Sequence, residues 1–358
     1  MISLVVGTRP EIIKMGPIVL ELKRRQMDFD IIHTAQHYDR ELSGVFFNDL
    51  GLPDPDRTLD VGSGSQAVQT GEALVKLERT FGETEPDVVL VEGDTNSVLA
   101  GALAAAKMGI DVGHVEAGLR SHDLRMPEEH NRKLTDHLSS FLFAPTTAAE
   151  ENLKKENVWG RIWVTGNTVI EACMTFMEVA AEKSDILDKI GFERFCLATA
   201  HRKENVDDRD VLSEFVETFL GSPVPVVYPI HPRTVKMLKE FGLYDGLSRS
   251  ENVQLLPPVG YLDFLLLMRG CEFILTDSGG IQEEATSPNI RKKVFVLRTS
   301  TERPEAVEAG YCEVVGTDSK RALAAINAYT EKGESPTSPS PYGDGTASAR
   351  IVDALGNS

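Results

Sequence analysis

Residues 273–284 read FILTDSGGIQEE, and they predict more about the fold than any other stretch of the chain. An apolar strand ends at Ser-Gly-Gly, where a helix is expected to begin. Glycines let the backbone come close to a ligand, and the free N–H groups of a first helical turn favour an anion. Glu284, about one turn further on, could accept hydrogen bonds from a sugar diol. These groups suit a diphosphate beside a ribose, although a plain Gly-Gly turn capped by Ser278 would have the same sequence.

Short apolar strands alternate with helical segments along the chain. A strand followed by a helix, repeated many times, predicts parallel sheets that carry helices on both faces. Ligands bind such doubly wound sheets at the carboxyl ends of the strands. The expected strands are Ile2–Val6, Phe29–Thr34, Asp87–Val91, Asp111–Val115, Ile162–Val164, Phe195–Ala200, Val224–Ile230, Asn252–Leu255, Phe273–Thr276 and Val294–Arg298.

The length of the chain indicates two domains. Its 358 residues are more than one hydrophobic core usually serves. The boundary is placed after Asn167, ahead of a long helix over residues 169–183. Residues 333–345 are rich in Pro, Ser and Gly and are typical of a linker. The last helix, over residues 346–355, could pack on either domain.

The composition argues against several classes of partner. The formal net charge is −18, which disfavours nucleic acid and anionic membranes. No apolar run approaches the ~18 residues of a membrane span, and the N-terminus lacks the features of a signal peptide. The cysteines are far apart, which predicts reduced thiols in a cytoplasm. Histidine spacing indicates no metal site, and the GxGxxA stretch at residues 62–67 follows no buried strand, so no dinucleotide cofactor is expected.

Three carboxylates fall at or after the ends of predicted strands. Asp94 and Glu116 each follow a strand, and Glu128 lies in a loop that enters a helix. Buried carboxylates are costly unless they are paired or protonated, so a group of them suits acid–base chemistry. The structural alternative is that Asp94 caps the next helix and that Arg120 and Arg132 pair with these acids.

Basic residues also lie near strand ends. Arg9 lies in the turn that opens the first predicted helix and can reach an oxyanion, and Lys14 lies one turn further on the same face. His201 ends the first strand of the second half, and it could donate to a phosphate or act as an acid or base. A capped helix with solvated charges and a structural histidine are the corresponding alternatives.

Eight motifs in order resemble the non-hydrolysing UDP-N-acetylglucosamine 2-epimerases. They are GTRPEIIKMGP, EGDTNS, HVEAGLRS, PEEHNR, AHRKEN, DSGGIQEEA, TERPEAVEAG and PYGDGTASARI, and they run from Gly7 to Ile351. The resemblance implies two Rossmann-like, doubly wound domains that face a cleft in the glycosyltransferase-B-type arrangement. The first domain is then residues 1–167 plus 346–358, with the C-terminal helix returning to it. The second, UDP-binding domain is residues 168–345.

The resemblance also implies roles for individual residues. Glu284 resembles the ribose contact, Phe264 the residue beside the uracil, and Glu128 is preferred over Glu129 by alignment alone. The implied diphosphate and other substrate contacts are Arg9, Lys14, His201, Ser278, Gly279, Gly280, Arg132 and Arg303. The implied acid–base residues are Asp94, Glu116, Glu128 and His201.

The implied reaction is epimerisation at C2 of UDP-N-acetylglucosamine, giving UDP-N-acetylmannosamine through UDP elimination and re-addition. It requires two proton carriers on opposite faces of the sugar and no redox cofactor or metal. A hydrolysing relative that releases UDP and N-acetylmannosamine, a retaining glycosyltransferase and a non-catalytic nucleotide-sugar sensor are the alternatives. The acidic trio argues against the last two, because binding alone does not need it. A cytoplasmic homodimer acting in polysaccharide biosynthesis is expected.

Residues 36–41, QHYDRE, depart from the pattern of the bacterial members, which use this region to bind a second substrate molecule. Asp39 and Glu41 would repel a second diphosphate unless Arg40 pairs with them. The sequence therefore predicts a weaker dependence on substrate as an activator.

Overall fold

The computed structural model describes residues 1–35, 46–62 and 64–356. The chain divides into two compact units. Unit 1 comprises Met1–Ala172 together with the residues from Tyr342 onward, and unit 2 comprises Cys173–Pro341. Each unit has its own parallel sheet and hydrophobic core.

Unit 1 is built on a parallel sheet whose described strands lie in the order β3-β2-β1-β4-β5-β6-β7. The strands are β1 Ile2–Val6, β2 Phe29–His33, β3 Arg57–Thr58, β4 Val88–Glu92, β5 Asp111–Val115, β6 Phe141–Ala144 and β7 Arg161–Val164. The helices are α1 Arg9–Arg24, α2 Gln66–Thr84, α3 Asn96–Met108, α4 Pro127–Leu138, α5 Thr147–Lys155, the start of α6 Thr168–Lys183, and α15 Ala347–Gly356. The strand order changes direction between β1 and β4, so their carboxyl ends form the crevice where doubly wound sheets bind ligands.

Unit 2 repeats this topology, with its described strands in the order β10-β9-β8-β11-β12-β13. The strands are β8 Cys196–Thr199, β9 Val226–Pro229, β10 Val253–Leu256, β11 Phe273–Thr276, β12 Lys293–Val296 and β13 Cys312–Val314. The helices are α7 Lys203–Val206, α8 Arg209–Gly221, α9 Pro232–Glu240, α10 Tyr244–Ser248, α11 Tyr261–Gly270, α12 Gly279–Glu284, α13 Pro304–Glu308 and α14 Ser319–Lys332, with a short 3-10 helix at Ile186–Lys189. The equivalent crevice lies at the ends of β8 and β11.

Helix α3 shows how the sequence positions the crevice of unit 1. Its sequence NSVLAGALAAAKM is rich in alanine, which favours a helix, and Gly109 ends it with a φ of 74°. A Cβ added at Gly101 would lie 3.1 Å from Val91 and 3.4 Å from Val5, so the helix packs closely over β4 and β1. This packing brings the first turn of α3 to the carboxyl ends of the two central strands.

The predicted α/β class with two doubly wound parallel sheets is confirmed. Three strands of the structure are absent from the predicted set: Arg57–Thr58, Phe141–Ala144 and Cys312–Val314. Each is only two to four residues long, so its own sequence carries little periodicity. Arg57–Thr58 and Cys312–Val314 are edge strands, whereas Phe141–Ala144 lies between β5 and β7.

The division between the units lies within α6 and at Tyr342, whereas the sequence places it after Asn167 and at residue 346. Tyr342 is fully buried, and its carbonyl accepts a hydrogen bond from the Asn167 backbone N–H at 2.7 Å. Gly166 has a φ of 86°, which favours glycine, and an added Cβ would lie within 3.1 Å of that carbonyl oxygen. The returning chain then forms α15, which packs on α1, with Arg25 paired to Asp353 at 2.5 Å.

None of the helices in these described ranges has the length and apolar character to span a membrane.

Candidate active site

The turn after β1 carries the first predicted contacts. Gly7 is required there, because an added Cβ would lie 2.3 Å from Ser97 Oγ. Arg9 is exposed, and its guanidinium lies 5.7 Å from the centre of the Phe46 ring. Glu11 turns back into the protein and accepts hydrogen bonds from the Gly7 N–H at 2.6 Å and the Thr8 hydroxyl at 2.9 Å.

Burial dominates the electrostatics of Glu11. Desolvation raises its pKa from 4.5 to about 7, although hydrogen bonds from Thr95, Gly7 and Thr8 lower it. Glu11 was not among the predicted site residues. A carboxylate at the third position of a helix usually suggests exposure and a favourable helix dipole, so sequence pattern alone gives no sign of its burial.

Lys14 and Glu116 come together at the ends of β4 and β5. The Lys14 Nζ donates to Glu116 Oε2 at 2.5 Å and lies 3.0 Å from Glu92 Oε1. Asn167 also donates to Glu116 Oε2, at 2.9 Å. Glu92 and Asn167 were not predicted as site residues. Glu92 is the last residue of β4 and Asn167 lies in the loop between β7 and α6, and nothing in either local sequence indicates that its side chain meets Lys14 or Glu116.

Glu116 has a φ of 70°, in the left-handed region that residues with a Cβ rarely adopt. A non-glycine residue held there costs free energy, and such strain clusters at functional sites. Its neighbours hold the backbone in place. His114 contacts Asp136 at 2.7 Å and the Gly93 carbonyl at 2.8 Å, and the Gly118 N–H donates to Asp136 at 3.2 Å.

Asp94 and Arg132 also come together. Arg132 donates to Asp94 Oδ2 at 2.5 Å and to Glu129 Oε2 at 3.0 Å, and Asn131 donates to the Asp94 carbonyl at 2.9 Å. Arg132 therefore pairs with Asp94, a predicted catalytic carboxylate. This agrees with the alternative in which Arg120 and Arg132 form ion pairs with the acids. Arg120, the other arginine of that alternative, pairs instead with Asp136.

The structure distinguishes the environments of the two glutamates at the start of α4. Glu129 is fully buried and accepts hydrogen bonds from Ser121 and from the His122 N–H, so it holds a loop in place. Glu128 is only partly buried. Of the two, Glu128 has the carboxylate that is more accessible to a substrate.

In unit 2, Asp277 organises the end of β8. The fully buried Asp277 carboxylate accepts hydrogen bonds from the backbone N–H groups of His201 and Arg202 and from Asn205. The His201 ring lies 3.4 Å from the same carboxylate, with half of the side chain exposed. The AHRKEN and DSGG motifs are therefore joined in space by one buried carboxylate.

The Ser-Gly-Gly turn leaves space in front of α12. The Ser278 N–H donates to the Thr276 hydroxyl, and α12 begins at Gly279. A Cβ at Gly280 would meet nothing within 4 Å, and one at Gly279 would meet only the Glu302 carboxylate, at 3.9 Å. The glycines are not required by contacts with the described protein atoms, which agrees with a ligand approaching this turn.

A cavity of about 240 Å³ lies beside this turn. Phe264, Ile281 and His201 line it, so two predicted substrate contacts share one cavity. The rest of the lining is Thr199, Ala200, Pro229, His231, Pro258 and Val259. The volume is below the ~300–1,000 Å³ of pockets that enclose a whole ligand, and a mostly apolar space of this size suits one flat ring.

The remaining predicted contacts have buried neighbours. Glu284 interacts with the buried Tyr261 hydroxyl, and burial raises the pKa of that phenol well above its usual range. Arg303 lies 2.5 Å from the buried Glu283 carboxylate. Tyr261 and Glu283 were not predicted as site residues.

Comparison with known proteins agrees with the motifs. The sequence model of the family described as UDP-N-acetylglucosamine 2-epimerase matches residues 20–356. The chain belongs to this family. It is 43% identical to the UDP-N-acetylglucosamine 2-epimerase of Methanocaldococcus jannaschii, over 99% of this chain and 98% of the relative.

Solved structures and other relatives of the epimerase family extend the match. The crystal structure of the Methanocaldococcus jannaschii UDP-GlcNAc 2-epimerase in complex with UDP-GlcNAc and UDP has a TM-score of 0.88 and 42% identity, covering 100% of this chain and 99% of that one. A relative from Pseudomonas aeruginosa, named UDP-2,3-diacetamido-2,3-dideoxy-D-glucuronate 2-epimerase, is 38% identical over 98% of each chain. The family resemblance predicted from the motifs is thus confirmed.

In this chain the structure brings predicted residues together in each unit. Lys14 and Glu116 form one pair in unit 1, and Asp94 and Arg132 form another. In unit 2, His201 and Phe264 share the cavity wall. The predicted difference in activator binding falls on residues 36–41, which lie outside the described residues, so it stays a prediction.

Proposed function

We propose that this protein catalyses the reversible epimerisation of UDP-N-acetylglucosamine at C2, giving UDP-N-acetylmannosamine. The observation that carries the proposal is the full-length similarity to the solved epimerase structure in complex with UDP-GlcNAc and UDP. The paired carboxylates in the crevice of unit 1 support it, because C2 epimerisation needs groups that take up and return a proton.

The proposed reaction proceeds by elimination and re-addition. A carboxylate removes the C2 proton, the C2–H electron pair forms the C1–C2 double bond, and the C1–O bond breaks with its electrons leaving on UDP. UDP then adds back to C1 while a proton reaches C2 from the opposite face. We assign the proton transfers to Asp94, Glu116 and Glu128, and we assign support of the departing UDP to His201.

Binding of UDP is assigned mainly to unit 2. The open turn at Ser278, Gly279 and Gly280 suits the diphosphate, since its N–H groups can donate to phosphate oxygens. Glu284 suits the ribose hydroxyls, and Phe264 suits the uracil because its cavity takes one flat ring. We further assign Arg9, Lys14, Arg132 and Arg303 to substrate contacts, as the resemblance implies.

We also propose a cytoplasmic homodimer that supplies a sugar donor for polysaccharide biosynthesis. The free thiols of Cys173, Cys196, Cys271 and Cys312 are buried, which is compatible with a reducing compartment. Val68 and Val75 are exposed one above the other on α2, and apolar side chains exposed along a helix favour association. Sedimentation equilibrium tests the dimer, and a monomer at micromolar concentration would contradict it.

Proton NMR of UDP-N-acetylglucosamine with the protein in D2O tests the activity. We expect deuterium at C2 of both epimers, with UDP still attached. Release of free N-acetylmannosamine at the rate of turnover would indicate the hydrolysing reaction instead. The absence of exchange would favour a transferase or a sensor. A parallel sample with the diacetamido-glucuronate nucleotide, the substrate named for the Pseudomonas relative, tests the choice of sugar.

A further inference from the structure

Lys14 joins two buried carboxylates in unit 1. Its Nζ lies 3.0 Å from Glu92 Oε1 and 2.5 Å from Glu116 Oε2. The side chains of Glu92 and Glu116 are only 2% and 7% exposed. A single ammonium group can balance one carboxylate but not two, and an unbalanced buried charge is costly.

The charged groups around Glu92 supply no further cation. From α1, Glu11 faces it as another buried acid, and its charge disfavours ionisation of Glu92. After β4, Asp94 is already paired with Arg132 of α4. In the described part of the chain, Lys14 is the one cation within ion-pair distance of Glu92.

Lys14 is also better placed for Glu116 than for Glu92. The Lys14–Glu116 contact is a hydrogen bond, and Asn167 donates a second hydrogen bond to the same oxygen. Glu92 Oε1 lies 3.0 Å from Lys14 Nζ but has no second donor comparable to Asn167 among the described residues. The ionised form is therefore well supported at Glu116 and poorly supported at Glu92.

The electrostatic surroundings of Glu92 agree with this geometry. Burial raises the pKa of Glu92 well above its ordinary 4.5, Lys14 lowers it in part, and the charges on Glu116 and Glu11 raise it further. Two acids that share one cation titrate as a coupled pair, so the proton held by one determines the charge on the other.

We propose that Glu92 is a positioning residue for Glu116: Glu92 holds a proton, so that the Lys14 ammonium stays with Glu116 and keeps it an anion. This inference rests on the proposed function, in which Glu116 exchanges a proton with the sugar C2. At alkaline pH, Glu92 releases its proton to solvent base, competes for Lys14, and leaves Glu116 poorly placed. Turnover then falls with Glu92 ionisation, although Glu92 never touches the substrate.

The test compares the pH dependence of kcat in three variants. Glu92→Gln mimics the protonated acid, so we expect the alkaline limb of kcat to move up by at least about one pH unit, while KM changes by less than about threefold. Glu92→Asp keeps a titrating group and should keep the alkaline limb. Asp30→Asn is the matched control, because Asp30 is a buried acid of the same sheet that pairs with Ser3 at 2.5 Å. It should leave the limb in place.

A second measurement does not depend on activity. Carbon-13 NMR of labelled glutamate carboxyl groups, with the Glu92 signal assigned by its loss in Glu92→Asp, should show Glu92 titrating above the ordinary range. If the wild-type protein has no epimerase activity, the proposed function is refuted. The NMR titration then still shows whether Glu92 holds a proton. An ordinary titration of Glu92 would overturn the inference. So would a Glu92→Gln variant whose kcat falls equally at every pH. If Glu92→Gln does not fold, the Glu92→Asp profile and the NMR titration decide.

Discussion

The two crevices differ in chemistry although their sheets share one topology. In unit 1, the residues after β4 and β5 are carboxylates, each held by a cation: Glu116 by Lys14 and Asp94 by Arg132. In unit 2, the buried Asp277 carboxylate at the crevice accepts hydrogen bonds from backbone N–H groups. The space beside it is lined mainly by apolar side chains. The same strand order therefore carries paired charged groups at the crevice of one unit and a mainly apolar space at the crevice of the other.

This comparison predicts a division in kinetics. Variants in the crevice of unit 1 should lower kcat, because they remove groups that act in the transition state. Variants in the crevice of unit 2 should mainly raise KM, because they remove contacts that substrate and transition state share.

The largest expected effect is that of Glu116→Gln. An amide cannot exchange the C2 proton, so kcat should fall by ~10²-fold or more, the scale of a lost general acid or base. Asp94→Asn and Glu128→Gln should behave alike. Steady-state kinetics and C2 deuterium exchange measure the loss. Glu83→Gln, an exposed glutamate of the same unit, is the control. Near-normal turnover in all three site variants would remove the catalytic assignment from unit 1.

The second expected effect is on stability and comes from Glu11. Its pKa is raised by burial to about 7 in the folded protein, and the unfolded chain releases this proton near 4.5. Between these values the folded state binds more protons, so the free energy of unfolding falls as pH rises through the window. The loss reaches about 3 kcal/mol above pH 7.

Urea denaturation of wild type and Glu11→Gln at several pH values measures this effect. The variant should lack the part of the decline that Glu11 causes. Asp123→Asn is the control. Arg125 lowers the pKa of Asp123 to about 2, so this carboxylate makes the free energy of unfolding rise with pH, and it does so at more acidic pH than Glu11. Parallel curves for wild type and Glu11→Gln would show that Glu11 is ionised in the folded protein.

A smaller effect is expected for Phe264→Ala in unit 2. Loss of the ring from the cavity should weaken UDP binding by ~10-fold, the value of about 1.4 kcal/mol of buried apolar surface, with little change in kcat. Isothermal titration calorimetry with UDP measures it. Phe241→Ala, a partly buried phenylalanine away from this cavity, should leave the affinity unchanged. Equal affinities for wild type and Phe264→Ala would show that the uracil ring of UDP binds elsewhere.

The smallest expected effect is that of Ser278→Ala. Only one hydroxyl is lost, and the backbone N–H groups of the turn remain, so KM should rise by about three- to tenfold, the value of one hydrogen bond. kcat should stay within about twofold. A fall in kcat without a change in KM would give this turn a part in the chemistry and would weaken the contrast between the units.

Much of the fold could be predicted from the chain alone. Strands Phe273–Thr276 and Asp111–Val115 are predicted with their observed bounds. The first is predicted because apolar residues of high β-propensity end abruptly at the turn residues Asp-Ser-Gly-Gly. The short strand Arg57–Thr58 is missed because it is made by pairing with β2 and not by its own composition. The residues that follow each predicted strand contain most of the candidate site, since parallel strands end at a common edge.

The sequence by itself determined the class of fold, the family and the local motifs, because these depend on periodicity and on residues close together along the chain. Only the tertiary structure decided that Glu11 and Glu92 are buried, that one lysine serves both Glu92 and Glu116, and that Glu129 holds a loop. The physical reason is that burial and ion pairing depend on which segments meet in space. Lys14 and Glu116 are 102 residues apart in the chain, and no local pattern records the 2.5 Å between their atoms.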